Sequence, residues 1–491
     1  MNKIIFIINS SKIHLYIWKC IERINNEIND ITILIDNKVK IKNNYSFNPI
    51  INFIDSKFSN LKTNPLDLID IEVFCINSNI KITNKIEDLE PSDWVICEDK
   101  NYDYNLLGKY IKNGVLNLGL NENTIYLSIL HKQLIALNIT YNNLKSQDWQ
   151  VISSVNLKNE IGLKNNFFKI FHNYPIYLVK LIKNIKKSDL DSLSECKNLQ
   201  NSNKKEFQSK LKFTLYYIKL IITIFSRKIK KQKFNWKIGI EKDNILTVLK
   251  QPKKSFWADP FIIKTKSDNF HVYFEELKND NLGKISCVEL SPNLEIIKKE
   301  DILNTNYHLS FPNIFFKDNE YYMIPESSQI SRLQLFKCKE FPFKWELKMN
   351  LMENIKLLDA VWVFYDNLYW IFANKIEDFE YDNNEKLYLY HSKDLFSNDW
   401  KPHVKNPIIT DASSARNAGN FILNNGKLNR VSQNCKDGYG QSIVINEVKL
   451  LTVDDYIEEK IDTILPQKGY VGVHTLNEHK NIRVLDYLIK E

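Results

Sequence analysis

Apolar positions change their period twice along the chain. Residues 1 to about 190 alternate short apolar runs with helical pattern. "IIFIIN", "ITILID", "IEVFCI", "DWVICE" and "GVLNLG" have strand character, and the segment from Ile13 to Ile28 has helical spacing. Such alternation predicts an α/β, Rossmann-like domain over 1–190, built on a mainly parallel sheet. Between Lys186 and Lys210 the chain turns polar, in "KKSDLDSLSECKNLQNSNKKE", as a linker does.

Next comes "LKFTLYYIKLIITIFSRKIKKQK". Leu211, Leu215, Ile218, Ile222, Phe225 and Ile229 fall on one helical face, with Lys212 and Lys219 on another. Residues 191–235 thus read as a polar linker followed by a basic amphipathic helix. Two readings of that helix stand: its stripe packs against a neighbouring domain, or Leu211–Lys233 makes peripheral contact with an anionic membrane surface.

From Trp236 the pattern becomes all-β and repeats. "DPFIIKTKSDNFHVYFEE", "FPNIFFKDNEYYMIPES", "AVWVFYDNLYWIFAN", "NAGNFILNNGKLNRVSQN" and "GVHTLNEHKNIRVLD" each hold an apolar strand, a short turn and a second strand ending in polar residues. Further strand pairs lie between them, such as "GKISCVEL" and "EKLYLYHS". The period, about fifty residues, lies in the propeller range, and the repeats predict a five-bladed β-propeller over 236–491.

Composition narrows the partners. The 491 residues suffice for more than one core, 44% are hydrophobic, and Gly numbers only 12, so turns rely on Asn and Asp, as in "KDNE" and "LNNGKL". The net charge of +8 is spread along the chain rather than gathered into a basic, aromatic-studded face, which argues against nucleic acid. The 7 cysteines have no C-x-x-C spacing, which argues against a zinc site or a disulfide framework and for reduced thiols in a cytoplasm. No metal or other cofactor is expected. "MNKIIFIINSSK" is too short in its apolar run for a signal peptide, and no segment has the length of a transmembrane helix.

In a propeller, the start of each blade's first strand and the end of its second converge near the axis. By this register the first repeat brings Asp259, Glu275 and Glu276, and the second brings His308 and Glu326. Asp359 and Asn374 come from the third, Arg416, Asn420, Gln433 and Asn434 from the fourth, and His474 and Asp486 from the fifth. Gathering these groups on one axis is costly unless a ligand or ion uses them. Trp257, Trp362 and Trp370 are aromatic candidates to lie near this set.

The motifs "FWADPF", "YFEE", "HLSFPNIF", "YMIPES", "ARNAG" and "GVHTLN" resemble the propeller domain of the glucosamine inositolphosphorylceramide transferase N-terminal-domain family. That domain is similar to the five-bladed propellers of arabinanase-like and levansucrase-like glycoside hydrolases. The resemblance covers about residues 236–491. It implies Asp259 as base or nucleophile, Glu326 as proton donor and Asp359 as the carboxylate that tunes them. It also implies that Trp257, Glu275, Glu276, His308, Arg416, Asn420, Asn434 and His474 bind substrate. Glu326 falls in the second blade, whereas the hydrolase pattern puts its general acid in the third. In the plant proteins the sugar-nucleotide transferase is a separate downstream domain, so the name does not carry that activity over.

"GKYIKNGVLNLGLNEN" resembles the strand and loop of the formyltransferase fold that reads N-x-H in active members. Asn117 matches the asparagine, but Gly119 stands where the histidine belongs, and "LKSQDWQVI" lacks the downstream Asp-x-Gly. His131 does not repair the motif. The resemblance therefore implies a formyltransferase-like domain without that activity.

Two functions follow as expectations: hydrolysis or transfer of a glycosyl unit on a glycan or glycolipid precursor in the propeller channel, or recognition of a sugar or glycolipid headgroup there without chemistry. Either would act in the cytoplasm or at the inner membrane face.

Overall fold

The computed structural model describes residues 3–490 apart from 29, 41–48, 58–63, 76–77, 119–121, 132–133, 145–148, 186–205, 230–233, 244, 253–254, 265–268, 278–281, 378–382 and 480–481. Two compact units divide at Ile229 and Lys230. Gly119, the side chain of His131 and the polar segment 186–205 lie outside the described residues.

The first unit has a seven-stranded mixed sheet. Ile4–Ile8 lies in the middle of its parallel part, flanked by Ile31–Ile35 on one side and by Ser92–Cys97 on the other. Lys81–Thr83 and Ile111–Leu118 extend the parallel part. Ile135–Asn142 and Gln150–Leu157 then add antiparallel strands at one edge. The isoleucine-rich central strands are buried on both faces, as their unbroken apolar runs require. The helices Leu15–Ile28 and Leu163–Asn184 pack together in the main cluster on one side.

One segment departs from expectation: "IEVFCI" is not a strand, because Ile71–Cys75 forms a short helix. Ile71 and Cys75, four apart, are buried, while Val73 and Phe74 face outward, and a short apolar run does not by itself decide between the two periods.

The helix Glu206–Ile229 belongs to this first unit. Its packed face is not the stripe read from the sequence: Phe213, Tyr216, Tyr217 and Leu220 meet the core, while Leu215, Ile218 and Ile222 are exposed. Hydrogen bonding fixes this roll. Tyr217 Oη accepts from Leu163 N at 2.8 Å and donates to the buried Asp55 carboxylate at 3.1 Å, and Tyr216 Oη accepts from Gly162 N at 3.1 Å. Among the described residues no helix is long and apolar enough to cross a membrane.

The second unit is a five-bladed propeller of antiparallel sheets. Blade 1 runs Phe256–Lys264, Phe270–Leu277, Gly283–Leu290, Ile296–Leu303 from its inner strand outward, and blade 2 runs Ser310–Lys317, Glu320–Glu326, Arg332–Glu340, Lys344–Glu353. Blade 3 (Leu357–Tyr365, Leu368–Lys375, Lys386–Ser392) has a broken outer edge at Lys401–Pro402 and Ile409–Thr410. Blade 4 has a broken inner strand, Arg416–Asn417 and Ile422–Asn424, before Lys427–Asn434, Ser442–Leu451 and Tyr456–Ile464.

Blade 5 closes the ring. Its inner strands Gly472–His479 and Ile482–Lys490 come from the end of the chain, and its outer strands Phe234–Lys242 and Ile245–Val248 come from the beginning of the unit. The first and last segments are thus stitched by main-chain hydrogen bonds.

Four inner strands carry a register shift at the same height, between Ala258/Phe261, Ser310/Asn313, Leu358/Val361 and Val473/Leu476. A bulge re-aims the side chain at the break. Asp259 and Asp359 take left-handed φ values of 52° and 45° there, a region that Asp tolerates better than most residues. Blade 4 meets the same need with Gly419, φ 141°, where a Cβ would lie 2.0 Å from the Leu476 carbonyl oxygen of blade 5. That close approach explains the glycine of "ARNAG".

Candidate functional site

The bulges and the ends of the second strands deliver one side chain or more from every blade to a buried polar ring. Asp259 comes from blade 1, Glu326 from blade 2, Asp359 from blade 3, Arg416 from blade 4, and His474 with Asp486 from blade 5, all buried. They divide into two connected halves.

In the first half His474 stands between two carboxylates. Its Nε2 is 2.9 Å from Asp259 Oδ1, and its Nδ1 is 3.0 Å from Asp486 Oδ1, without the alignment of a hydrogen bond. Burial alone would favour the neutral ring, but Asp486 and Asp259 outweigh it and push the imidazole up to about 10. It is therefore an imidazolium at neutral pH. Burial likewise disfavours the Asp259 carboxylate, yet His474, Thr475 and Arg416 hold it below the ordinary aspartate value.

Asp259 and Asp486 have little acceptor capacity left. Asp259 accepts from Thr475 Oγ1 at 3.0 Å and from Phe311 N at 3.3 Å. Asp486 accepts from His474 N, Thr475 N and Asp259 N. Asp259, His474 and Asp486 could place three ligand atoms within 4.8 Å of one another, as a metal site does. With the ring protonated the three form an ion-paired set; a cation held there would need the imidazole neutral and the carboxylate oxygens freed from their donors.

In the second half Arg416 joins two carboxyls. Its Nε donates to Asp359 Oδ2 at 2.5 Å, while its Nη2 is 3.9 Å from Glu326 Oε2. Burial pushes both carboxyls up, and their proximity disfavours ionising both. Arg416 sits closer to Asp359, so the charge rests there and the proton rests on Glu326, which is pushed up to about 8. Glu326 also accepts from Ser328 Oγ at 2.9 Å. Gln433 and Asn417 secure Asp359 from blade 4, through Nε2 to Oδ2 and Nδ2 to the backbone carbonyl.

Glu275 and His308 lie beside the first half. His308 Nε2 is 3.1 Å from Glu275 Oε1, and its Nδ1 accepts from Gly283 N at 2.9 Å. Glu275 draws His308 toward protonation, whereas the Gly283 amide requires an unprotonated Nδ1; the geometry fixes the Nε2–H tautomer. A Cβ at Gly283 would lie 2.5 Å from His308 Cε1 and 2.6 Å from the Leu309 carbonyl oxygen.

Other residues named from the sequence lie elsewhere. Glu276, one position on from Glu275, points to the opposite face of its strand and is held by Ser286 at 2.7 Å and Lys299 at 2.6 Å. Trp257 is core, packed on Phe274. Trp362 packs on Phe315, and Trp370 donates Nε1 to the Tyr365 carbonyl. Asn420 meets Asn477 through its backbone amide, and Asn434 caps a turn by accepting from Lys436 N.

Two aromatics that the repeat register passes over do reach the ring. Trp236 packs on His474 with ring centroids 4.0 Å apart. Tyr439 lies 5.2 Å from the same ring and 5.8 Å from the Arg416 guanidinium, with 44% of its surface exposed. Trp236 sits in the strand that closes blade 5 from the far end of the unit, and Tyr439 in a loop, so neither shares a place in the repeat. Thr475 lies inside "GVHTLN", but the repeat register, which takes only strand ends, does not mark it.

Residues 245–484 match the family described as "Glucosamine inositolphosphorylceramide transferase 1, N-terminal". The protein named glucosamine inositolphosphorylceramide transferase 1 from Arabidopsis thaliana is 30% identical over 233 residues, which cover 46% of this chain and 30% of that protein. Its counterpart from Oryza sativa subsp. japonica is 29% identical over 214 residues, covering 42% and 28%. The matched region thus spans less than a third of the length of these relatives. Among solved structures, Zg3597, a family 117 glycoside hydrolase of Zobellia galactanivorans, aligns with a TM-score of 0.37 at 9% identity, over 52% of this chain and 90% of that one. It is the propeller that carries this chain's likeness to the N-terminal family of glucosamine inositolphosphorylceramide transferase 1.

Proposed function

We propose that the propeller is a carbohydrate-active unit that takes a sugar, glycan or glycolipid headgroup against its polar ring, with Glu326 as proton donor and Asp259 and Asp359 as the ionised partners. The observation that carries this reading is the opposite displacement of two carboxyls of the ring: Asp259, against its burial, is held low by His474, while Glu326 is pushed up by burial to about 8. Glycosyl chemistry needs one acid protonated and one ionised at the same pH, and environments that drive two carboxyls apart supply that division. The relatives' name, a transferase of glucosamine and inositolphosphorylceramide, favours a glycolipid headgroup as the substrate class.

A second reading, recognition without turnover, is favoured by the saturation of Asp259. Its oxygens accept from Thr475, Phe311 and His474, so a nucleophilic role would require one of these donors to be displaced. In this reading Arg416, Tyr439 and His308 hold sugar hydroxyls and phosphate oxygens at the ring. For the N-terminal unit we retain the formyltransferase-like reading without formyl transfer, a docking or scaffolding module.

The test uses the full chain and its Glu326→Gln and Asp259→Asn variants. Binding and turnover are measured on a panel of glycosides and glycosyl inositol phospholipids. Turnover in the wild type that both variants abolish supports chemistry. Binding without turnover, weakened by Arg416→Lys, supports recognition. Neither binding nor turnover across the panel would overturn both.

A further inference from the structure

We infer that the helix Glu206–Ile229 docks the first unit onto an anionic lipid surface through its outward apolar stripe. A helix that packs on a core ordinarily turns its most apolar face inward. Here the inward face is Phe213, Tyr216, Tyr217 and Leu220, half of it phenolic, and the aliphatic side chains Leu215, Ile218 and Ile222 are 49%, 45% and 60% exposed. At 3.6 residues per turn the stripe lies roughly half a turn from the packed face.

The roll that exposes it is enforced. Tyr217 is bonded to both Asp55 and the amide of Leu163, and Tyr216 to the amide of Gly162, so three polar contacts would be lost if the aliphatic face turned inward. Each of those buried groups would then be left without its partner. The helix Pro49–Ser56, which supplies Asp55, adds two more outward apolar side chains, Ile50 at 65% and Phe53 at 64% exposed, with Lys57 above the Phe53 ring.

Charge identifies the occupant. From Glu206 to Lys233 the sequence has eight basic residues, Lys210, Lys212, Lys219, Arg227, Lys228, Lys230, Lys231 and Lys233, against the single acid Glu206. Lys212 and Lys219 are exposed and flank the stripe. Aliphatic residues on one face with lysines at its border form the pattern of a helix that lies in a lipid interface, where apolar insertion and attraction to anionic headgroups add. A second copy meeting the stripe through this same segment would bring no acids beyond Glu206 to match the lysines.

The test is vesicle co-sedimentation of the full chain. The vesicles are phosphatidylcholine alone or phosphatidylcholine with phosphatidylglycerol, at low and high salt. Wild-type protein is expected to bind the anionic vesicles at least tenfold more tightly than neutral ones, and high salt should weaken that binding. Ile218→Asp/Ile222→Asp and Lys212→Glu/Lys219→Glu should each reduce it about tenfold or more. Their unfolding temperatures should stay close to wild type, because the replaced side chains are exposed. Equal binding to both vesicle types, no binding, or unchanged binding by the variants would overturn the proposal. So would a wild-type dimer in sedimentation velocity that Ile218→Asp/Ile222→Asp dissociates, since the stripe would then belong to a second copy. The outcome is independent of sugar binding in the propeller.

Discussion

His474 Nε2 lies 2.9 Å from Asp259 Oδ1, and this contact joins the last blade of the propeller to the first. Asp486 makes the same junction through the backbone, accepting the amide of Asp259 across the seam at 2.9 Å. The ring chemistry and the closure of the fold are therefore one construction, in which a charged imidazole between two buried carboxylates holds the seam.

The pH dependence of that junction follows from its sign. The folded pKa of His474 is raised from 6.5 to about 10, so its stabilisation is fully present below 6.5 and is lost as pH rises through 10. Thermal unfolding of the wild type should fall across that window. His474→Gln leaves two buried carboxylates without their cation, and a loss of about 3–5 kcal/mol is expected at neutral pH, with little further change between pH 8 and pH 10, above the range in which Glu326 titrates. A variant that keeps the wild-type slope would show that another group titrates there.

Glu326 predicts the opposite response to neutralisation. Its folded pKa is raised from 4.5 to about 8, so ionising it opposes folding increasingly as pH rises between those values. Glu326→Gln fixes the neutral form. Relative to wild type, its urea midpoint should differ little at pH 5 and move in the variant's favour through pH 8, while any turnover that depends on the proton is lost. A variant less stable than wild type at pH 9 would mean that Glu326 serves as an ionised anchor.

The fivefold repeat was legible because each blade repeats one strand, turn and strand with polar residues at fixed ends, and those ends deliver Asp259, Glu326, Asp359, Arg416 and His474 to one ring. The strand-end register took Glu275 and Glu276 together, whereas alternation sends adjacent residues to opposite faces. For the helix Glu206–Ile229 the sequence left two readings open, the stripe packed inward or facing outward, for a different reason. Spacing reveals the aliphatic stripe, but the buried Asp55, more than 150 residues earlier, selects the tyrosine face. Such long-range hydrogen bonds have no periodic signature. Trp236 escaped notice because its blade exists only once the two ends of the unit have met.

The Asp55 contact gives its own test. Burial pushes Asp55 up to about 6, and Tyr217 is among the donors that oppose this. Tyr217→Phe removes a hydroxyl that both donates to Asp55 and accepts from Leu163 N, and it should destabilise the first unit by about 1–3 kcal/mol. Amide exchange should rise at the start of the helix Leu163–Asn184. Unchanged protection there would remove the hydroxyl from the account of the helix's roll.

Asn477 tests the seam without touching the charged ring. Its Oδ1 accepts from Asn420 N of blade 4 at 2.8 Å, and its Nδ2 donates to the Pro260 carbonyl of blade 1 at 2.8 Å, so one buried amide spans three blades. Asn477→Leu strands both backbone groups and should cost about 2–6 kcal/mol, since each orphan contributes roughly 1–3 kcal/mol. Asn477→Asp separates the two bonds: the acceptor for Asn420 survives, but an ionised oxygen replaces the donor and faces the Pro260 carbonyl. Ionisation is then disfavoured in the fold, so the variant's stability should recover as pH falls toward the ordinary aspartate value of about 3.9, where a protonated carboxyl can donate again. Chemical unfolding of wild type and both variants at pH 7 and pH 4.5 reads this directly. Asn477→Asp with wild-type stability at pH 7 would show that the Pro260 bond contributes nothing to closing the ring.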